Sequence, residues 1–368
     1  MNRSTLGRRL FAGSAVLALA LTAACGGNDD TSDTDAGGEE STITGTIAGV
    51  GASAQGSAQE AWVAGFLEAN PDVTDVTYDA AGSGAGRDAF TSGGADFAGS
   101  DAYLDEEEIA AATETCGEAA FVEIPGYISP IAVAYNLPGV EALNLSAPVI
   151  AQIFNVQITT WNDPAIAALN EGVALPATTI NAVHRSDESG TTENFVDYLS
   201  QAAPAEWTYE VSGDWPAPGG EAAAQTQGVA AALNASEGSI GYLDASQAGD
   251  LGVAAIQVGT EFVAYSPEAA AAAVDAGEAV AGRPEYSFAI DLPRTTTEAG
   301  VYPIVLVSYQ IACVNYDDEE KANLVKAYFS YIISEEGQAT AAENAGSAPI
   351  SEEQRTQAQT AVDAISAG

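Results

Sequence analysis

The stretch Ser41-Thr42-Ile43-Thr44-Gly45-Thr46-Ile47-Ala48-Gly49-Val50-Gly51 alternates as a strand does and ends in glycines. Ser57 to Leu67 follows, with Ala58, Trp62 and Phe66 at helical spacing and Asn70-Pro71 as a stop. The cycle then repeats. Val73 to Tyr78 reads as a strand, Gly82-Ser83-Gly84-Ala85-Gly86 as a turn, and the residues to Thr91 as a helix. Phe97 to Ser100 is a short strand leading to Asp101, with helix again from Asp105 to Ala112. This strand–turn–helix rhythm predicts an α/β sheet that presents its loops at the carboxyl ends of the strands.

Further along, Phe121 to Leu137 and Tyr302 to Asn315 are long apolar stretches rich in Ile and Val, both read as strands. Between them lie helices at 149–154, 164–169, 192–199, 222–234 and 267–275, and strands at 180–184 and 238–242. A helix at 321–335 comes after. Two long strands of this kind suit crossings between two lobes. The expected division is residues 42–134 with 306–368 in lobe I, and 135–305 in lobe II.

The first 24 residues have a different character. Arg3, Arg8 and Arg9 precede the apolar run Leu10 to Ala24, which ends in Leu21-Thr22-Ala23-Ala24-Cys25. A positive start, a short greasy core and small residues before a cut mark a signal peptide. Cys25 stands where a lipobox cysteine is lipidated, although Thr22 replaces the usual aliphatic residue. Residues 25–41 are small, polar and acidic beyond that cysteine, a composition that stays solvated and serves as a tether. The exported chain is therefore expected at the outer face of the cell membrane, held by its lipid alone.

Charge excludes whole classes of partner. The chain carries 52 acidic against 10 basic residues, and three of those 10 lie in the signal segment. Such a surface repels nucleic acid and anionic headgroups. One histidine and no Cys-x-x-Cys argue against zinc, and no metal or cofactor is expected. With Cys25 assigned to the lipid, Cys116 and Cys313 remain, and an exported chain favours their pairing in one disulfide.

Three loops share a design, a small-residue turn with a hydroxyl placed before a helix: Gly49 to Ala54, Gly82 to Gly86, and Asp187 to Thr191. Helix N-termini offer unpaired N–H donors and a partial positive field, and glycines let the backbone close round a small anion. Each loop alone is satisfied as a plain N-cap. Three in one chain, with Arg185 beside the third, point to an oxyanion site.

The runs Gly49-Val50-Gly51-Ala52-Ser53, Gly82-Ser83-Gly84-Ala85-Gly86, Phe97-Ala98-Gly99-Ser100-Asp101 and His184-Arg185-Ser186-Asp187-Glu188-Ser189-Gly190-Thr191 resemble, in order and spacing, the substrate-binding subunit of phosphate-specific ABC transporters in its bacterial lipoprotein form. Ile158 to Pro164 and Gly238 to Tyr242 fit as well. The resemblance runs from about Thr42 to the C-terminus. It implies a two-lobed periplasmic-binding-protein fold (Venus flytrap, type II) with two crossover strands, inorganic phosphate as ligand, a membrane permease as partner, and a monomer. Carried over, Ser53, the N–H of Ala54, Ser83 and Asp101 contact phosphate from one lobe. Arg185, Ser189 and the N–H groups of Gly190 and Thr191 do so from the other, with Asp187 holding Arg185. Glu188 departs from the family's frequent glycine and adds a carboxylate near the anion.

Asp101 has a chemical meaning in this reading. A carboxylate facing an anion repels it unless the anion brings a proton, which phosphate does and sulfate at neutral pH does not. Taken alone, Asp101 also fits as the cap of the helix near Asp105. The competing functions are binding of another oxyanion such as sulfate or molybdate, and a secreted phosphatase using His184, Asp187 and Ser189. Those three lie too close in sequence to stack as nucleophile, base and orienter.

Overall fold

The computed structural model describes residues 43–117 and 121–368. The expected signal peptide, Cys25 and the tether lie outside the described residues. Among the described residues no helix is long and apolar enough to cross a membrane.

A nine-stranded sheet organises the described residues. Gly45–Gly51 lies parallel between Val73–Asp79 and Phe97–Ser100. The helices Gly56–Ala69 and Ser83–Thr91 return the chain between them. Val305–Cys313 then pairs antiparallel with Phe97–Ser100 on one side and with Phe121–Asn136 on the other. The second half is built from Ser239–Asp244, Asn181–Arg185 and Glu221–Ala223, parallel to one another in that order.

Phe121–Asn136 joins the halves. It is 16 residues long, about 50 Å at the rise of an extended strand. Residues 121–130 pair with Val305–Cys313, and residues 131–136 pair with Ser239–Asp244. Nearly every residue along it is buried, which is why it reads as a continuous apolar run rather than an alternating one. The chain comes back beside it: Ile131 N–H donates to Ile304 O at 2.7 Å, and Tyr302 Oη donates to Ile131 O at 2.8 Å. The two long apolar stretches of the sequence are thus the two crossovers.

Packing fixes the helices whose ends matter for the site. In Gly190–Ala202, Phe195, Val196, Tyr198 and Leu199 face inward, and Phe195 stacks on Tyr242 with 4.3 Å between ring centres. In Gln225–Ala235, Val229 and Leu233 pack with Ala134, Val183 and Leu243 in a small core of their own. The sequence predicts helix from residue 222, yet Glu221–Ala223 is a strand. Its pairing with Val183–Arg185 completes the sheet edge and overrides the helical preference of alanine. Two further helices, Glu335–Ala345 and Glu352–Ala364, close the chain. Gln338 Nε2 donates from the first of them to Gly126 O on the crossing strand at 2.8 Å.

The structure joins Cys116 to Cys313, with 5.2 Å between their Cα atoms. The bond ties the end of the helix Glu106–Cys116 to the end of Val305–Cys313. It closes a loop with a sequence separation of 197, a span for which chain entropy alone offers up to about 5 kcal/mol. We expect both thiols to resist alkylation without reductant. The variant C116S/C313S should melt several degrees lower, and an unchanged midpoint would contradict a stabilising bond.

Asp244 sits where the crossing strand changes partner, opposite Ile131. It is fully buried, accepts from Tyr127 Oη at 3.1 and 3.2 Å, and receives Ser246 N–H at 3.0 Å. Burial pushes its carboxyl up to about 7. An acid raised in the folded state holds its proton more tightly there than in the unfolded chain. Its stabilisation is full below the unfolded value near 3.8 and is lost as pH rises through about 7. Asp244→Asn should therefore gain on the wild type between about pH 4 and 8, by on the order of a few kcal/mol. Urea midpoints at both pH values measure this; parallel curves for the two proteins would refute it.

Candidate anion-binding site

Four chain segments meet where the two halves of the sheet face each other. From the first half come Ser53, after the strand Gly45–Gly51; Ser83, first residue of its helix; and Asp101, after Phe97–Ser100. Gly82 precedes Ser83 with φ +117°, a conformation open to glycine, and a Cβ there would also lie 2.9 Å from Asp187 Oδ2. From the second half come Arg185, at the end of its strand, and the N-terminus of Gly190–Ala202, capped by the Ser189 hydroxyl. A Cβ on Gly190 would fall 2.8 Å from both Ser83 Oγ and the Asp101 Cβ. Only glycine lets that helix end come so close to the opposite half.

The candidate residues converge as the sequence suggests. Ser53, Ala54, Ser83, Asp101, Arg185, Ser189 and Thr191 are all nearly inaccessible to solvent. Ser83 Oγ accepts from Asp101 N–H at 3.1 Å, and Thr191 Oγ1 donates to Asp101 Oδ2 at 3.0 Å. Arg185 donates from Nε to Asp187 Oδ1 at 2.8 Å, and its Nη2 pairs with Asp187 Oδ2. Asp187 thus holds the guanidinium plane, as expected. Burial draws the Asp187 carboxyl upward, but the hydrogen bonds and charge of Arg185, with the Gln225 N–H, outweigh it and set it below the usual range.

Asp101 differs from Asp187. Its environment is dominated by burial, which raises its carboxyl above the ordinary value against the pull of the Ser308 and Thr191 hydroxyls and the Arg185 charge. Its Oδ1 is buried with no hydrogen-bond partner among the described residues. Nor does it cap a helix: Asp105 caps Glu106–Cys116, in a reciprocal pair with Glu108. The site is therefore a ring of hydroxyl and N–H donors with a single acceptor turned among them. Such a set is chemically suited to a small oxyanion that itself carries a proton.

Several contributors went unnoticed in the sequence. Thr226 N–H donates to Ser53 Oγ at 3.1 Å, and the two hydroxyls lie 3.0 Å apart. Gln225, beside it, takes φ +61° and donates its N–H to Asp187 Oδ1 at 2.9 Å. Asn194 donates to Asp101 O at 2.7 Å and to Gly190 O at 2.8 Å, while its own carbonyl accepts from Arg294. Arg294 also donates to Val305 O at 2.8 Å, so Asn194 has one amide orientation. Tyr242 Oη receives the Arg185 N–H at 3.3 Å. Glu188 pairs with Arg87 Nη2 at 2.7 Å, a partner the sequence did not suggest. Among the described residues no group of His, Cys, Asp and Glu is arranged to hold a metal.

Two sheet halves joined by two crossovers, with anion donors gathered in the cleft between them, define a solute-binding protein. Residues 36–336 match the PBP superfamily domain. Phosphate-binding protein PstS 3 of Mycobacterium leprae (strain TN) is 39% identical over 329 residues, covering 87% of each chain. Phosphate-binding protein PstS of Xylella fastidiosa (strain Temecula1) is 32% identical over 330 residues, covering 86% of this chain and 85% of that one. The same fold occurs in a solved high-affinity periplasmic phosphate-binding protein, PfluDING, with TM-score 0.71 and 23% identity over 86% of this chain and 93% of that one. This chain belongs to the PstS family of binding proteins.

A buried carboxylate oxygen without a donor is destabilising. Asp101→Asn keeps the shape and removes the charge, so ligand-free protein should gain about 1–2 kcal/mol of stability. Thermal melts without added anion measure this, and an unchanged or lower midpoint would show that Asp101 is compensated by other means.

Proposed function

We propose that this chain captures inorganic phosphate outside the cell membrane and delivers it to the membrane permease of an ABC importer. The observation that carries this reading is the unpartnered Asp101 Oδ1 among donors. Hydrogen phosphate and dihydrogen phosphate bring the missing O–H; sulfate leaves the carboxylate uncompensated, at several kcal/mol. The relatives named phosphate-binding proteins support the same reading. In this proposal Ser53, the Ala54 N–H, Ser83 and Asp101 contact phosphate from lobe I, residues 42–134 with 306–368. Arg185, Ser189 and the N–H groups of Gly190 and Thr191 do so from lobe II, residues 135–305, with Asp187 fixing Arg185.

The proposal includes export behind the signal segment 1–24 and attachment of a monomer through lipid on Cys25, with residues 25–41 as tether. It makes the protein a carrier and not a hydrolase. His184 stacks on Trp215 at 4.9 Å and places Nδ1 2.8 Å from Arg185 O, contacts that support the carrier reading.

Calorimetry on the mature protein with phosphate, arsenate and sulfate tests it. Wild type should bind the first two and reject sulfate. Asp101→Asn should weaken phosphate moderately and gain sulfate. Arg185→Ala should lose about 2–5 kcal/mol of phosphate binding, because it leaves a buried anion under-compensated. Sulfate binding as tight as phosphate in the wild type would sink the assignment.

A further inference from the structure

Arg87 is not itself a candidate site residue, yet it links three of the segments that carry them. It lies one turn along the helix from Ser83, is 5% exposed, and has a different partner on each nitrogen. Nε donates to Glu108 Oε1 at 2.7 Å, Nη1 to Ser100 Oγ at 3.0 Å, and Nη2 to Glu188 Oε1 at 2.7 Å. Ser100 directly precedes Asp101, and its hydroxyl also receives the Ala102 N–H at 3.3 Å. Glu188 directly precedes Ser189 in the facing half, 101 residues away in sequence. One guanidinium therefore connects the helix of Ser83, the turn of Asp101 and the loop of Ser189.

The fit is close on the other side too. The Glu188 side chain lies against the backbone of Gly84, where a Cβ would come 2.3 Å from Glu188 Oε2. The Glu188 side chain remains 44% exposed, so the contact sits at the rim of the cleft. Charge makes Arg87 hard to replace there. Glu108 and Asp88 flank the contact from its own half, and Glu188, Glu193 and Asp214 from the other. Burial pushes Glu193 up to about 7, and Arg87 is the group that opposes the rise. Without Arg87, closing the cleft would bring carboxylates onto carboxylates.

We propose that Arg87 is a positioning residue which sets how firmly the two halves close, with Glu188 as its partner across the cleft. It touches no anion; that the loops it joins grip phosphate rests on the function proposed above. The carboxylate that departs from the family's usual glycine at position 188 thus acts on closure.

Glu188→Gln, Arg87→Gln, the double variant and Arg87→Lys test this, with phosphate affinity and release rate measured at low salt and at about 1 M salt, where charge contacts are screened. Glu188→Gln should weaken phosphate about three- to fivefold, mainly through faster release, and the loss should fade in high salt. Arg87→Gln should lose more, because Ser100 is freed as well. In the Arg87→Gln background the cost of Glu188→Gln should vanish, and Arg87→Lys should restore binding only in part. Small-angle scattering without phosphate gives a readout independent of the ligand: Glu188→Gln should be more expanded than wild type at low salt. If wild type bound no phosphate, the proposed function would fall while scattering still reported on the contact. The inference is overturned if Glu188→Gln matches wild type in release and compaction, or if its cost persists without Arg87. Should Arg87→Gln not fold, the salt dependence and scattering of Glu188→Gln decide alone.

Discussion

A buried carboxylate oxygen with no hydrogen-bond partner among the described residues is the constraint around which the cleft is arranged. That oxygen is Asp101 Oδ1, and burial raises the carboxyl against the pull of Ser308, Thr191 and Arg185. A lone acceptor of this kind is tolerated only where the surrounding structure over-determines it. Here that structure is extensive. The Asp101 backbone is held by Ser83 Oγ and by Asn194, and Oδ2 is held by Thr191. Asn194 is aligned by Arg294, which is itself anchored on the returning crossover at Val305. The contacts hold Asp101 from both halves.

Much of this was legible in the sequence, because the relevant signals are local. A strand ending in glycines before a helix is a one-dimensional pattern, and Gly49 to Ala54, Gly82 to Gly86 and Asp187 to Thr191 announce their backbone geometry through composition alone. The crossing strand was readable because burial on both faces leaves a mostly apolar run from Phe121. What could not be read depends on segments distant in the chain. Thr226 reaches Ser53 across 173 residues, and Arg87 reaches Glu188 across 101. Nothing local marks Gln225 for a left-handed backbone, which is imposed by the short strand before it and the Asp187 carboxylate beside it. Arg87 had one available clue: four residues after Ser83, it lies on the same helix face as a candidate site residue.

The acidic composition changes what each cation does. With so few basic side chains, an arginine is not diluted among alternatives, and Arg87, Arg185, Arg283 and Arg294 are each largely buried and paired with an acid. Arg185 pairs with Asp187, Arg283 with the fully buried Glu123, and Arg294 with Asp197. Buried pairs of this kind contribute little net stability once desolvation is counted, and their more dependable effect is on geometry. The surplus of carboxylates remains outside, where it favours solubility. The interior is thus electrostatically separate from the surface, and an anion can be favoured within a molecule that repels anions at long range.

Closure follows from the same separation. Several contacts between the halves require no anion: Thr226 with Ser53, Asn194 with Asp101 O, Gln247 Nε2 with Ser57 Oγ at 2.6 Å, and Arg87 with Glu188. A ligand shifts an opening equilibrium only by the difference between its affinities for the two states. Each contact that already favours the closed form reduces the shift the ligand must supply and raises the apparent affinity. Opposing them is the buried Asp101 carboxylate, whose Oδ1 has no hydrogen-bond partner among the described residues. In the proposed function an anion that brings an O–H to Asp101 removes this penalty, whereas one lacking a proton leaves it in place. Under the functions proposed above, the contacts between halves bias how readily the cleft closes, and Asp101 bears on which anion it closes upon.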